Sequence, residues 1–401
     1  MTRVRGVNAR HALLLLTAGA VVTVLPGCTA SSSYSDTVGN APALSSLGQP
    51  SIAVTGWADR PVKDNAVGVM PGAPLTVTAH DGSLKSVVVT GDDGPVAGTV
   101  SADGSTWTAT NALDFGADYT LTAAAQGIEG AGAKKLTFST ASAESTASAS
   151  SVTAEGETVG IGQPVMINFD QPVTNKLNAQ RAIQVTTDPP VEGAFYWVND
   201  SMLRWRPEHY WKPGTKVGVK VNTKGIDLGD GVYGDNNLST HFTVGRSLIA
   251  SADDNTHQIT VSINGKVVRT MPTSMGKDST PTNNGVYIVA ERDPSVIMDS
   301  STYGVPVSSP GGYRETVYDA TRISYSGIYV HSAPWSLGDQ GVDDVSNGCL
   351  NVSPDNAEWF LNTALRGDIV TVKNAVGPIL PGDDGLGDWN IPWSVWKKGN
   401  A

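Results

Sequence analysis

Apolar and polar positions alternate in short bursts between residues 51 and 140, as in Pro74-LTVTA, Ser86-VVVT, Thr106-WTAT and Tyr119-TLTAAA, with Gly/Asp turns between them. A two-residue period puts successive side chains on opposite faces of a strand. Bursts spaced by roughly ten residues predict a small antiparallel sandwich. The segment 152–247 echoes the first. Val67-Gly68-Val69 before Ala73-Pro74-Leu75 returns as Val159-Gly160-Ile161 before Gln163-Pro164-Val165. Pro95-Val96-Ala97-Gly98 and Trp107 return as Pro190-Val191-Glu192-Gly193 and Trp205, and Phe138-Ser139-Thr140 and Phe242-Thr243-Val244 close the two units. A repeat of about 95 residues predicts two copies of one sandwich. Trp205, Tyr210 and Trp211 read as packing residues ahead of any sugar platform.

A third region, 248–375, opens with Ile259-TVSI and Lys266-VVRT joined by Asn264-Gly265, the pattern of a hairpin through a two-residue turn. Val286-YIVAE, Thr316-VYDA, Ile328-YV and Ile369-VTV supply further strands. One helix is expected over 355–364, with Ser353 as N-cap and Pro354 in its first turn. The fold class is therefore mainly β.

The intervening stretches read differently. Residues 1–28 form an export segment: Arg3, Arg5 and Arg10 precede an apolar run from Ala12 to Val24 that is short for a membrane span. Leu25-Pro26-Gly27-Cys28 resembles a lipobox, which makes Cys28 a candidate lipid attachment site on the outer face of the plasma membrane; an uncleaved N-terminal anchor and ordinary signal cleavage nearby are the competing readings, and all three place the rest of the chain outside the cytoplasm. Residues 29–50 read as a flexible tether and 141–151, ASAESTASASS, as a linker. The tail, 376–401, carries Trp389, Trp393 and Trp396 among Gly and Pro. Three solvated indoles would expose a large apolar patch, so this tail is expected to strap the third domain onto the second sandwich.

Composition narrows the function classes. With 44 Gly, 23 Pro and 16% charged residues the chain leans to strands and turns. The formal charge is −11, or −14 once the three arginines of the export segment are removed, which disfavours nucleic acid as a partner. His11, His80, His209, His241 and His257 have no carboxylate or cysteine at ligand spacing, so neither a metal nor a cofactor is expected.

Only two cysteines occur, Cys28 and Cys349. An exported chain that keeps one unpaired thiol commonly keeps it for chemistry. Gly348 before the sulfur lets backbone N–H groups approach a reacting carbonyl. His331 stands at the end of the strand Ile328-Tyr329-Val330, eighteen residues earlier. A thiol needs a base, because the thiolate is the nucleophile. From the pair alone a catalytic site and a buried structural thiol stay equally open.

The strings His331-SAPW and Ser346-Asn347-Gly348-Cys349-Leu350-Asn351 resemble the signature of the L,D-transpeptidases of peptidoglycan, the YkuD-type catalytic domain. The segments 271–285, 297–307 and 385–393 extend the likeness to actinobacterial and mycobacterial members that carry two immunoglobulin-like domains ahead of the catalytic one. The resemblance implies a fold with domains at 51–140, 152–247 and 248–375. It also implies an acyl-enzyme on Cys349, formed from a donor tetrapeptide stem with release of D-Ala. Aminolysis by the diaminopimelate of a second stem then gives a 3-3 cross-link. In relatives the imidazole, here His331, is oriented by the next residue's carbonyl, here Ser332. The oxyanion would be held by the Gly348 and Cys349 N–H groups and the Tyr313 hydroxyl. Met298, Tyr303, Tyr313, Ser326, Trp335, Asn347 and Asn351 would line the substrate groove, under a flap over 301–315, and carbapenems would acylate Cys349. The family commonly has Ser-His-Gly-Cys, whereas Asn347 replaces the second His here. Were the base the residue two before the cysteine, the chain would be inactive, because an amide cannot titrate; the resemblance implies instead that the base is His331, so activity should survive. An L,D-carboxypeptidase, with water in place of the amine, and a non-catalytic wall-binding protein are the alternatives.

Overall fold

The structure, a computed structural model, describes residues 49–56 and 59–401. Cys28, the export segment and nearly all of the expected tether lie outside the described residues.

Two sandwiches come first. In the first, the sheet Ser51–Thr55, Thr76–His80, Thr106–Ala109, Gly98–Val100 shares a core with a five-stranded sheet centred on Gly130–Thr140 and Asp118–Gly127. Val77, Trp107, Leu121 and Leu136 fill it. In the second, Ala149–Ser151, Val165–Phe169, Met202–Pro207 and Gly193–Asn199 share a core with Glu157–Val159, Asn237–Val244, Lys216–Asn222 and Ile183–Asp188. The sequence echo has a geometric meaning. Each unit has, after its first strand, a short strand paired parallel to its closing strand, Ala66 opposite Phe138 and Glu157 opposite Phe242. In each, a glycine lies under an indole. A Cβ on Gly98 would stand 2.1 Å from Trp107 Cζ2, and one on Gly193 would stand 2.3 Å from Trp205 Cζ2. Trp205 and Trp211 are buried and stack at 5.8 Å.

The expected linker needs correction. Ser145–Ala147 pairs with Val232–Gly234, Ala149–Ser151 pairs with Val165–Phe169, and Ala147 and Ala149 are buried in the second sandwich. A run of Ser and Ala lacks bulk but can still close a sheet edge where the facing space is small.

The third domain has two sheets. The first runs Lys266–Pro272, Gln258–Ile263, Leu248–Asp253, Ile369–Lys373, Gly285–Ile288. Its hairpin turns through Asn264 and Gly265, both at positive φ (49° and 78°), as a type I′ turn requires. The second runs Arg292–Asp299, Arg314–Arg322, Tyr329–Ser332, Leu350–Val352. The helix Pro354–Thr363 is capped by the Ser353 side chain, which accepts from the Asn356 N–H, and it buries Ala357 and Phe360 in the shared core. Pro354 at the first position costs nothing, since that N–H has no helical partner.

The C-terminal residues cross from this domain to the second sandwich. Asn390 extends the Gly285–Ile288 edge, accepting the Val286 N–H at 2.7 Å and donating to its carbonyl at 2.9 Å. Trp389 Nε1 donates to Gly162 O and Trp396 Nε1 to Ala194 O, each at 2.8 Å. The Arg206 guanidinium lies 4.5 Å from the Trp389 ring and 4.2 Å from that of Trp396, a cation held against two π faces.

Candidate active site

The second sheet of the third domain brings two distant segments side by side. Tyr329–Ser332 pairs parallel with Leu350–Val352, Val330 opposite Leu350 and His331 opposite Asn351. Val330, Leu350 and Val352 point into the domain core. Strand alternation therefore sends His331 and Asn351 to the other face, and Cys349, two residues before Asn351, with them. Tyr329 and Cys349 pack there with Val317 and Ala320.

His331 and Cys349 open onto one cleft of about 180 Å³, lined also by Met298, Tyr313, Glu315, Trp335, Asn347 and Asn351. His331 is buried, and its Nδ1 lies 2.9 Å from the Ser332 carbonyl. A carbonyl only accepts, so Nδ1 carries the hydrogen and Nε2 keeps its lone pair. Burial lowers the His331 pKa against a smaller opposite pull from the Ser332 carbonyl, which leaves the ring neutral at pH 7. The Trp335 ring stands 6.0 Å from the imidazole, on the exposed rim.

Cys349 is half-buried, and its thiol donates to the Gly327 carbonyl at 3.6 Å. Burial pushes this thiol up to about 11, with a smaller downward pull from the Tyr329 backbone. At rest it is a thiol.

The turn before the sulfur is built by Ser346. Its Oγ accepts the Gly348 N–H at 3.0 Å and donates to the Cys349 carbonyl at 2.7 Å, while Thr282 Oγ1 donates to the Gly348 carbonyl at 2.8 Å. Gly348 sits at φ 121°, a conformation other residues rarely adopt. This corrects one expectation. The Gly348 N–H is taken by Ser346 and is not turned to the cleft.

The other sequence candidates divide. Met298 comes from the edge strand Arg292–Asp299, and Tyr313 immediately precedes Arg314–Arg322. Asn351 Nδ2 donates to Ser336 Oγ at 3.2 Å. Asn347 is exposed and accepts from Lys277 Nζ at 2.8 Å. Ser326 is not in the cleft. It is exposed, bonded to Ser324 Oγ at 2.9 Å, with its N–H on Asp384. The Tyr303 side chain lies outside what the structure describes. Glu315, Val317, Val345 and Ser346 line the cleft without having been singled out. For Ser346 a signal existed, since a serine two residues before a glycine can cap a tight turn locally.

His257 was expected to lack carboxylate partners, and the fold supplies two. Ligand atoms of Asp254, His257 and Asp344 lie within 4.8 Å of one another, the one such cluster among the described residues. Asp344 is too far along the chain for spacing to reveal it.

Comparison with known proteins adds a separate line of observation. The family described as bacterial Ig domain matches residues 66–227, and the family described as L,D-transpeptidase catalytic domain matches residues 249–372. L,D-transpeptidase 2 of Mycobacterium tuberculosis is 58% identical over 341 residues, covering 85% of this chain and 84% of that protein. L,D-transpeptidase 5 of the same organism is 35% identical over 349 residues, covering 84% and 75%. A solved LD transpeptidase in complex with imipenem is 41% identical over 56% of this chain and 97% of that one, with a TM-score of 0.49.

Proposed function

The chain belongs to the L,D-transpeptidase family, and from that premise we propose that Cys349 is its nucleophile, His331 its base and peptidoglycan stem peptides its substrates. The observation that carries the residue assignment is the shared cleft, with a neutral imidazole whose Nδ1 is held by the Ser332 carbonyl and a thiol on the same sheet face.

The chemistry follows from those states. As His331 Nε2 takes the thiol proton, sulfur attacks the carbonyl between the third stem residue and D-Ala, and the carbonyl oxygen becomes an oxyanion. The Cys349 N–H and the Tyr313 hydroxyl are its donors in this reading. The C–N bond breaks, the imidazolium protonates the departing D-Ala amine, and a thioester remains. The side-chain amine of a second stem, expected to be diaminopimelate, attacks the thioester and gives its proton to His331. The thiolate leaves and recovers the proton, and a 3-3 cross-link results. Because the thiol is protonated at neutral pH, proton removal and attack are coupled. Carbapenems fit the same reading, since their strained lactam carbonyl can take the place of the donor carbonyl. Lipid attachment at Cys28, on the outer face of the plasma membrane, belongs to the proposal too. Loss of labelled fatty acid on Cys28→Ser tests it.

The deciding experiment incubates the full chain and Cys349→Ala with tetrapeptide muropeptides and weighs the products by mass spectrometry. Dimers with released D-Ala, absent from the variant, are expected. Tripeptides without dimers would make the protein an L,D-carboxypeptidase, and no turnover with an unreactive Cys349 would make it a wall-binding module.

A further inference from the structure

The second half of the reaction requires the cleft to choose between an amine and water. Among the described residues that line it, Glu315 is the one carboxylate and His331 the one base. Glu315 and Val317 lie two apart on the strand Arg314–Arg322, so alternation turns both to the same face, and both line the cleft. Val317 packs in one cluster with Met298 and Cys349, and Met298 stands opposite Glu315 in the sheet register. Two strand residues span roughly 7 Å, so Glu315 stands one such step from a residue that packs with the sulfur.

The Glu315 charge is uncommitted. Its side chain is exposed and, among the described residues, has neither a hydrogen-bond nor an ion-pair partner. Arg314 belongs to the opposite face, where its Nη1 lies 3.5 Å from Asp299 Oδ2. Lys277 is bonded to Asn347, which precedes Leu350–Val352, two strands across the sheet from Arg314–Arg322. A solvated glutamate on a strand is ordinary. This one is set apart by standing in the cleft, on the face of the nucleophile, where the second substrate arrives as a primary amine that is mostly protonated at neutral pH.

We propose that Glu315 is a specificity-determining residue for the second substrate: its carboxylate draws a protonated primary amine to the acyl-enzyme and so favours aminolysis over hydrolysis.

The inference rests on the Cys349 reading and adds what selects the acceptor. The ammonium is held near Glu315 and gives one proton to solvent. The neutral amine then attacks the thioester carbonyl, the C–S bond breaks, and the second proton passes to His331. Glu315 makes and breaks no covalent bond. It raises the local concentration of a cation, an advantage that uncharged water does not share. A unit charge at about 7 Å in a largely solvated site changes that concentration by about three- to tenfold.

The test first reads charge at the sulfur, independently of turnover. The full chain and Glu315→Gln are treated with methanethiosulfonates that carry an ammonium, a methyl group or a sulfonate, and the Cys349 peptide is quantified by mass spectrometry. The ratio of ammonium to methyl reagent rates falls by about three- to tenfold in Glu315→Gln, and the ratio of sulfonate to methyl rises. Glu315→Asp keeps the charge and restores most of the preference, while salt at about 0.5 M removes it from the wild type. The second arm supplies tetrapeptide muropeptides, and the ratio of dimers to trimmed tripeptides falls by about threefold or more in Glu315→Gln. Both readouts are ratios, so a loss of folded protein moves neither. A wild-type reagent ratio in Glu315→Gln would overturn the proposal, and so would an unchanged product ratio. Reagent selectivity that follows the charge, without dimers from any of the chains, would support the cation site and sink the transpeptidase reading alone.

Discussion

Replacing His331 by Gln removes the proton acceptor and leaves the thiol to ionise alone. With burial pushing Cys349 up to about 11, the thiolate share at pH 7 is about one in ten thousand, a deprotonation cost of about 5 kcal/mol. An unaided thiol must therefore react about tenfold faster with each added pH unit over the neutral to alkaline range. The wild type escapes that slope, because the His331 pKa is lowered by burial and the neutral base is present throughout. The assay is iodoacetamide alkylation of the full chain, with the Cys349 peptide quantified by mass spectrometry so that Cys28 does not contribute. At pH 7 His331→Gln should be slower by about 10² to 10⁴, and the gap should close on going alkaline. Below the lowered His331 value the wild type should slow as well. A wild-type rate that climbs tenfold per unit in parallel with the variant would refute the proton transfer.

Two further outcomes follow from packing and burial. Gly193→Ala places a methyl 2.3 Å from Trp205 Cζ2 and should destabilise the second sandwich by about 1–3 kcal/mol, read as a lower urea midpoint; an unchanged midpoint would show that the indole yields freely. Asp388 is fully buried with neither carboxylate oxygen hydrogen-bonded, and burial raises it to about 6 despite the nearby Arg204 and Arg206. Its folded value lies above the unfolded one, so its contribution is whole below about pH 4 and is lost as pH rises through about 6. Urea midpoints should carry that slope in the wild type and lose it in Asp388→Asn, and equal slopes in both would contradict the assignment.

Local signals were legible wherever a few adjacent residues decide the outcome. Asn264-Gly265 needs only two positive-φ residues, and Ser353-Pro354 needs one side chain and one missing N–H. The recurrence of Gly98 and Trp107 as Gly193 and Trp205 was visible as a repeat, while the packing of each glycine under its indole needed coordinates. What escaped was either weakly patterned or long-range. Arg292–Asp299 is an edge strand containing Pro294, with charged and exposed positions that blur its alternation. The six-residue helix Lys176–Arg181 buries only Ala179 and leaves hardly any period to detect. Ala147 and Ala149 look like tether residues until the cavity they fill is known. The Asp254–His257–Asp344 cluster depends on two loops meeting, which neither loop's sequence encodes alone. The lone thiol drew attention to Cys349 and His331, but from the pair alone a structural thiol stayed equally open, and it was the resemblance that chose between them; the Ser346 bonds that turn the Gly348 N–H away required coordinates.

The position of Arg206 between Trp389 and Trp396 has a bearing on biosynthesis. These indoles are separated by well over a hundred residues from the end of the sandwich that holds their guanidinium partner. Domains tend to fold in the order they emerge, so the second sandwich must wait with an uncovered cation and an unclad face until residues 389–396 are delivered. Asn390 reaches the Val286 edge at the same moment, so one late segment both extends the catalytic domain's sheet and joins it to its neighbour.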